Sequence, residues 1–385
     1  MDWGLLLPAA LPVLFWILIA LDPARRFPRE CVLPRAEDEP TAESAGPVVA
    51  VVPARDEAAM LPRTLPTLLS QRALDEVLLI DDGSGDGTAE TARRVARELA
   101  GESGATVPLT IHTLDRKPEG WAGKVYAMAE GESLARRRGA GWILFTDADI
   151  AHRPGSVASL LQRTHGGYDL VSVMARLQVQ SVWEKALIPV FVFYFHLLYP
   201  FRRVKQAWSS VAAAAGGCVL VRTRALEKSG GVAAIRNALI DDVALARSIK
   251  EAGFGTWLGF DDGIVSQRPY ETLSELGRMI SRSAFVQLDR RVSLVVLTVL
   301  ALALLVVSPP VWIALSYAWP PGAAWGALSW VFQAALLLPF VRQQRAPLWA
   351  ALTLPFASVF YGAMTVVSAW NDLRGAGTRW KGRLY

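Results

Sequence analysis

Two carboxylates one residue apart, Asp147 and Asp149, close the apolar run Trp142 to Phe145 in the string WILFTDADI. A short apolar run bounded by polar residues reads as a buried strand, and alternate residues of an extended segment point the same way. Both acids can therefore face one divalent cation beyond the carboxyl end of a strand, where open α/β sheets bind ligands. A surface turn uses Asp equally well, so the pair is weighed by its company. A second pair, Asp241-Asp242, precedes a helical stretch from Val243 to Ala252. Its adjacent like charges raise an apparent pKa toward the working pH of a general base, while helix capping is the plainer use of Asp there. Hard oxygen ligands suit Mg²⁺ or Mn²⁺. Zinc is not expected, because His112, His152, His165 and His196 lie without ligand spacing and neither Cys31 nor Cys218 belongs to a CxxC pair.

The elements that must hold these residues recur along the chain. Val48 to Val52, Glu76 to Ile80, Leu109 to Leu114 and Trp142 to Phe145 are strand-like runs, and helical patterns follow over Met60 to Gln71, Ala89 to Ala100 and Lys124 to Arg137. Such alternation predicts a parallel sheet covered on both faces. Each strand ends in a polar loop: PARDE, DDGSGDGT, GWAGK and TDAD. Polar βα loops are ordinary singly, but four on one edge predict a nucleotide-binding rim. No G-x-x-x-x-G-K-[ST] string is present and the glycines do not follow G-x-G-x-x-G, which excludes the P-loop and the dinucleotide fingerprint. A rim of carboxylates repels a diphosphate, so a divalent cation, lysine or arginine must stand between them.

Of the 385 residues, 52% are hydrophobic and 14 are Trp, which points to a membrane protein. Trp3 to Leu21 would rise about 28 Å as a helix, enough to cross a bilayer core. Arg25, Arg26 and Arg29 follow it and place the downstream side in the cytoplasm. The expected organisation is an anchor (1–22), a linker (23–47), a catalytic domain (48–290), a membrane region of about three apolar segments (291–370) and a basic tail (371–385). The net charge of +5 comes with arginines near apolar segments, and no nucleic-acid-binding motif is present. Trp183 to Phe201 is apolar enough to span, yet it lies between the two acidic pairs, which must share one side of the membrane. Residues 183–205 are therefore expected to be interfacial or re-entrant.

Taken in order, VVPARDE, LLIDDGSGDGT, GWAGK, FTDAD, GGCVLVRTRAL and LIDDVALARSIKEAGF resemble the family-two glycosyltransferases of GT-A fold, over roughly Val48 to Arg290. The anchor, GWAGK and the apolar C-terminus look most like the hopene-associated glycosyltransferases, with ceramide and carotenoid-type glycosyltransferases as close alternatives. The resemblance implies a GT-A, Rossmann-like, mostly parallel α/β domain with N- and C-terminal transmembrane helices in the inner (cytoplasmic) membrane. It implies a nucleotide-sugar donor, UDP-linked, and a lipid acceptor. By resemblance Pro53, Glu57 and Asp81 or Asp82 contact the nucleoside, Lys124 the base or diphosphate, and Asp147 the ribose and metal. Asp149 becomes the direct metal ligand and Asp242, beside Asp241, the general base. Arg278 and Arg282 fall where the family often carries (Q/R)xxRW. Here the string is RMISRSAF, which departs from that motif; Arg282 can still meet leaving-group charge, and a membrane-surface arginine is the equal alternative.

Overall fold

The computed structural model describes residues 3–35, 46–103, 106–115, 117–375, 379–380 and 383–384. Residues 36–45 of the expected linker and Lys381 of the basic tail lie outside them. The chain divides into two units, Arg29–Leu177 with Tyr199–Arg268, and Met1–Pro28 with Gln178–Leu198 and Pro269–Tyr385.

The first unit is built on eight strands: β1 (Val48–Ala54), β2 (Glu76–Asp81), β3 (Leu109–Thr113), β4 (Trp142–Thr146), β5 (Ile150–His152), β6 (Leu170–Arg176), β7 (Cys218–Arg222) and β8 (Thr256–Ser266). Their order is β3-β2-β1-β4-β7-β6-β8-β5. β1 to β4 are mutually parallel, as the sequence predicts, whereas β7 runs antiparallel to both β4 and β6. β1, β2 and β4 are buried almost throughout, the pattern of strands covered on two faces. The helix Gly123–Arg137 lies close on β1 because Gly131 carries no side chain: a Cβ there would stand 2.2 Å from Val51 Cγ1. That close packing sets Lys124, in the helix's first turn, over the strand ends.

After β4 the chain turns through Asp147-Ala148-Asp149 into β5, which pairs antiparallel with the end of β8, Ile150 opposite Ser266. This return ties the acidic loop to a strand more than a hundred residues away. Beneath it His152 is buried, Nε2 3.0 Å from Thr146 Oγ1 and Nδ1 3.3 Å from Ser156 Oγ. Burial lowers its pKa to about 4, so at neutral pH it is an uncharged prop for the loop.

The second unit is helical. Among the described residues three stretches are long and apolar enough to cross a membrane, Val182–Val204, Val292–Ala314 and Pro320–Gln343, and Leu6–Leu21 is a shorter apolar helix. Pro309 and Pro310 lack amide hydrogens, which deprives the carbonyls of Leu305 and Val306 of their i+4 donors. The helix widens to π geometry over Leu302–Val307. Trp16 Nε1 donates to Leu305 O (2.9 Å), and Gln333 Nε2 donates to Leu305 O (3.4 Å) and Val306 O (3.2 Å). Neighbouring helices thus satisfy the freed carbonyls, as an apolar medium demands. The helix Val182–Leu198 packs in this unit through Phe193, against Trp16 (6.2 Å) and Phe340 (5.3 Å). Its start is fastened by buried Glu184, which accepts from the amides of Gln180, Ser181 and Tyr270 at 2.7–2.8 Å.

Candidate active site

Lys124 is the centre of the site. Its Nζ stands 2.8 Å from Asp147 Oδ1, at the end of β4, and 3.3 Å from Asp241 Oδ2, at the start of the helix Asp241–Glu251. Asp242, one residue on, accepts from the amide of Gly216 at Oδ2 (2.7 Å) and from that of Val243 at Oδ1 (2.8 Å). Pro53 and Thr146 line the same cleft. One acid of each pair, some ninety residues apart in sequence, therefore meets the other across one ammonium group.

The electrostatics follow from this crowding. Withdrawal from water works against the Lys124 ammonium, but Asp147 and Asp241 outweigh it and hold its pKa well above the ordinary value. Burial and then Asp241 push Asp242 up to about 6, against the opposing pull of Lys124 and the two amides. Asp147 is likewise raised, by burial, despite the nearby ammonium. A carboxylate near 6 is the half-poised state a general base needs at neutral pH.

Gly216 lets the backbone pass close to both charged groups. A Cβ there would lie 3.3 Å from both Asp242 Oδ2 and Lys124 Nζ, tighter than ordinary contact. Gly216→Ala is expected to displace both side chains, lowering turnover about tenfold while the melting temperature moves by only a few degrees. Steady-state kinetics with thermal melting checks this, and unchanged turnover would show that the close approach is idle.

The second half of the site lies around Asp149. Its Oδ2 accepts from Ser266 Oγ (3.0 Å) and Arg268 Nε (3.1 Å), and Arg268 Nη2 donates to both oxygens of buried Glu57 (2.7 and 2.9 Å). The first two loops are knitted together. Asp56, with φ of 50°, accepts from the Gly85 amide (2.9 Å), and Asp86 accepts from that of Ala58 (2.9 Å). Asp81 accepts from the Ser84 amide (3.0 Å), while the Asp82 carboxylate faces Arg55 at 3.6 Å. Both are buried and shape the loops.

The structure thus gathers Pro53, Lys124, Asp147, Asp241 and Asp242 in one cleft and joins Glu57 to Asp149 through Arg268. Arg282 belongs to the helical unit, where it is exposed. Sequence reasoning missed Arg268, Ser266 and the Gly216 amide. Arg268 follows a long strand and precedes Pro269, a local pattern with no chemical signature; only the β5–β8 pairing brings it to Asp149.

The donor set suits a divalent cation of the Mg²⁺ or Mn²⁺ kind. Asp147 Oδ2 and Asp149 Oδ1 are hard oxygens to which no described residue donates a hydrogen bond, and among the described residues no group of three His, Cys, Asp or Glu forms. Two carboxylates with the remaining positions left to phosphate and water is the way such cations are held beside nucleotides.

The mostly parallel sheet, its acidic strand-end loops and the carboxylate pair after β4 make the first unit a GT-A domain. Residues 49–230 match the family model described as glycosyl transferase family 2. The chain is 34% identical over 108 residues to a 4,4'-diaponeurosporenoate glycosyltransferase of Staphylococcus haemolyticus, covering 28% of this chain and 25% of the relative. It is 28% identical over 134 residues to a polyprenol monophosphomannose synthase of Mycolicibacterium smegmatis, covering 35% of this chain and 47% of that one. The chain therefore spans from a quarter to about half the length of these curated relatives. Among solved structures, a mannosyltransferase from Pyrobaculum calidifontis in complex with GDP-Man and Mn²⁺ superposes with a TM-score of 0.54 over 94% of each chain at 19% identity, a likeness of fold.

Proposed function

We propose that the protein is a membrane-bound inverting glycosyltransferase that moves a sugar from a nucleotide-sugar, UDP-linked, to a hydroxyl of a lipid acceptor, a hopanoid being the acceptor to which the sequence resemblance points. The observation that carries this reading is that Lys124 bridges Asp147 and Asp241 in a cleft that Asp242 also lines. A donor-holding carboxylate and a base of raised pKa then share one cleft. Asp242 takes the proton from the acceptor hydroxyl as its oxygen attacks the anomeric carbon, and Asp241 keeps the pair's affinity for that proton high. One displacement inverts the sugar, and no second carboxylate is assigned as a nucleophile. Pro53 and Glu57 line the nucleoside side, with Asp81 and Asp82 shaping the loops that carry it. Lys124 meets diphosphate charge as it develops. Asp147 and Asp149 would hold Mg²⁺ or Mn²⁺, which when bound supplies neutralising charge to the leaving diphosphate.

The catalytic unit belongs, in this reading, on the cytoplasmic side of the inner membrane. Arg25, Arg26 and Arg29 after the first helix support that orientation. The chain leaves the sheet unit at Leu177 and returns to it at Tyr199, with the Asp147–Lys124–Asp241 bridge spanning the excursion. A single crossing by Val182–Leu198 would divide that bridge, which supports an interfacial or re-entrant helix.

Purified full-length protein given UDP-sugars, Mn²⁺ and lipid extract should release UDP and form a glycolipid visible by mass spectrometry. Asp149→Ala is expected to lower that release by about 100-fold or more; full turnover in this variant sinks the assignment. A polyprenyl phosphate acceptor is the second reading, favoured by the stretch shared with the polyprenol monophosphomannose synthase. A phosphate is already ionised, so transfer to it survives loss of Asp242.

A further inference from the structure

Among the described residues, Arg268 is the cation that joins the loops after β1 and β4, and the proposed reaction leaves it without a task. Its guanidinium joins Glu57, from the loop after β1, to Asp149, from the loop after β4. Both ends of this bridge are held from the backbone. Ser266 pairs with Ile150 across the β5–β8 ladder, and the Gln267 amide donates to Asp149 O (2.7 Å), so Arg268 starts from a fixed point. The Glu57 amide donates to Thr88 Oγ1 (2.9 Å), and its side chain is only 8% exposed. The guanidinium is a third exposed, whereas both carboxylates that it joins are mostly buried.

Asp149 cannot serve an arginine and a divalent cation equally. Two positive species on one carboxylate repel each other, and in a partly dry site that repulsion is poorly screened. We infer that Arg268 is an exchangeable counter-ion and a positioning residue. Without donor it neutralises Asp149 and Glu57 together. When the divalent cation takes Asp149, the guanidinium keeps Glu57 and is released toward the donor's diphosphate, for which an arginine fork is well suited. The exchange couples the two ligands: a cation alone at Asp149 Oδ1 is repelled by the arginine on Oδ2, whereas a cation arriving with a nucleoside diphosphate gives the displaced guanidinium a new partner. Glu57 then acts as the hinge of this movement. The inference rests on the nucleotide-sugar reading of the site and deepens it.

Mn²⁺ binding to the detergent-purified full chain, followed by electron paramagnetic resonance with and without UDP, tests this without any turnover. In the wild type UDP should tighten Mn²⁺ binding at least tenfold. Arg268→Gln should tighten Mn²⁺ binding in the absence of UDP by a similar factor and remove most of the enhancement by UDP. Arg268→Lys, which keeps the charge, should retain most of that enhancement. Unchanged or weaker Mn²⁺ binding by folded Arg268→Gln without UDP overturns the proposal. If that variant does not fold, Glu57→Gln decides, because it leaves the guanidinium to Asp149 alone: weaker Mn²⁺ binding without UDP supports the exchange, and unchanged or tighter binding overturns it. A wild type that binds neither Mn²⁺ nor UDP overturns the nucleotide-sugar reading itself, whereas wild-type binding of both with no effect of Arg268→Gln overturns the exchange alone.

Discussion

Asp242→Asn should lower transfer to a hydroxyl acceptor by about 10²- to 10⁴-fold, the range a positioned general base supplies. The substitution is nearly isosteric. Its amide can still accept from Gly216 or from Val243 but not from both, a loss of about 1 kcal/mol of stability. UDP binding, measured by calorimetry, should therefore stay close to wild type while turnover falls. The pH profile carries a second signature. In the proposed reaction Asp242 acts as a carboxylate, and burial, and then Asp241, push its pKa up to about 6 by disfavouring the charged form. Wild-type turnover should thus rise as pH climbs through about 6, and the residual rate of Asp242→Asn should lack that rise. A variant that retains both the rate and the rise with a hydroxyl acceptor would remove Asp242 from the chemistry.

How much of this was legible in the chain depends on how far apart in sequence the deciding contacts lie. β1 to β4 announce themselves because strands buried on both faces must be apolar at every position, and their order and direction match the alternation of strand and helix. The antiparallel insertion of β7 is invisible to that logic, since Cys218–Arg222 has the same apolar composition whichever way it runs. The Asp147–Asp149 pair was legible as a strand-end feature, but its neutralisation was not: Arg268 lies 119 residues from Asp149 and reaches it only through the β5–β8 ladder. Asp241 and Asp242 show how little a local pattern says about such a pair. They open the helix Asp241–Glu251, yet the N-cap residue is Ile240, and Asp242 gives one oxygen to a local amide and the other to Gly216 beside β7. Leu273–Ser281 shows the limit on boundaries. It carries a capping box of Thr272 and Glu275 and a strongly amphipathic pattern, the marks of any globular helix, and nothing local says that it packs with the apolar helices.

Lys124→Met should have the broadest effect of any single change in the cleft. The ammonium faces Asp147, Asp241 and Asp242, and its own pKa is held so high that it stays charged at every working pH. Removing it leaves three neighbouring carboxylates without a common counter-ion. Because Lys124 is one of the influences that lower Asp242's pKa, its loss raises that pKa, and the rise of turnover with pH should move to the alkaline side of the wild-type position. At pH 7 the variant therefore loses activity twice, through a base that is more often protonated and through a diphosphate that meets less positive charge. A fall of about 10²-fold is expected, with partial recovery as pH is raised. Stability should respond with the same sign. Carboxylates whose pKa is raised by folding bind protons more tightly in the native state than in the unfolded one, so folding weakens as pH rises through their native pKa values. The variant's deficit in melting temperature should accordingly be small near pH 5 and larger near pH 8. Lys124→Arg keeps the charge but spreads it over a planar fork that cannot occupy the same point, and should hold the stability while losing part of the rate. A profile and a melting curve for Lys124→Met that both follow the wild type across this range would mean that the ammonium is a bystander and that the acidic pairs are balanced by something else.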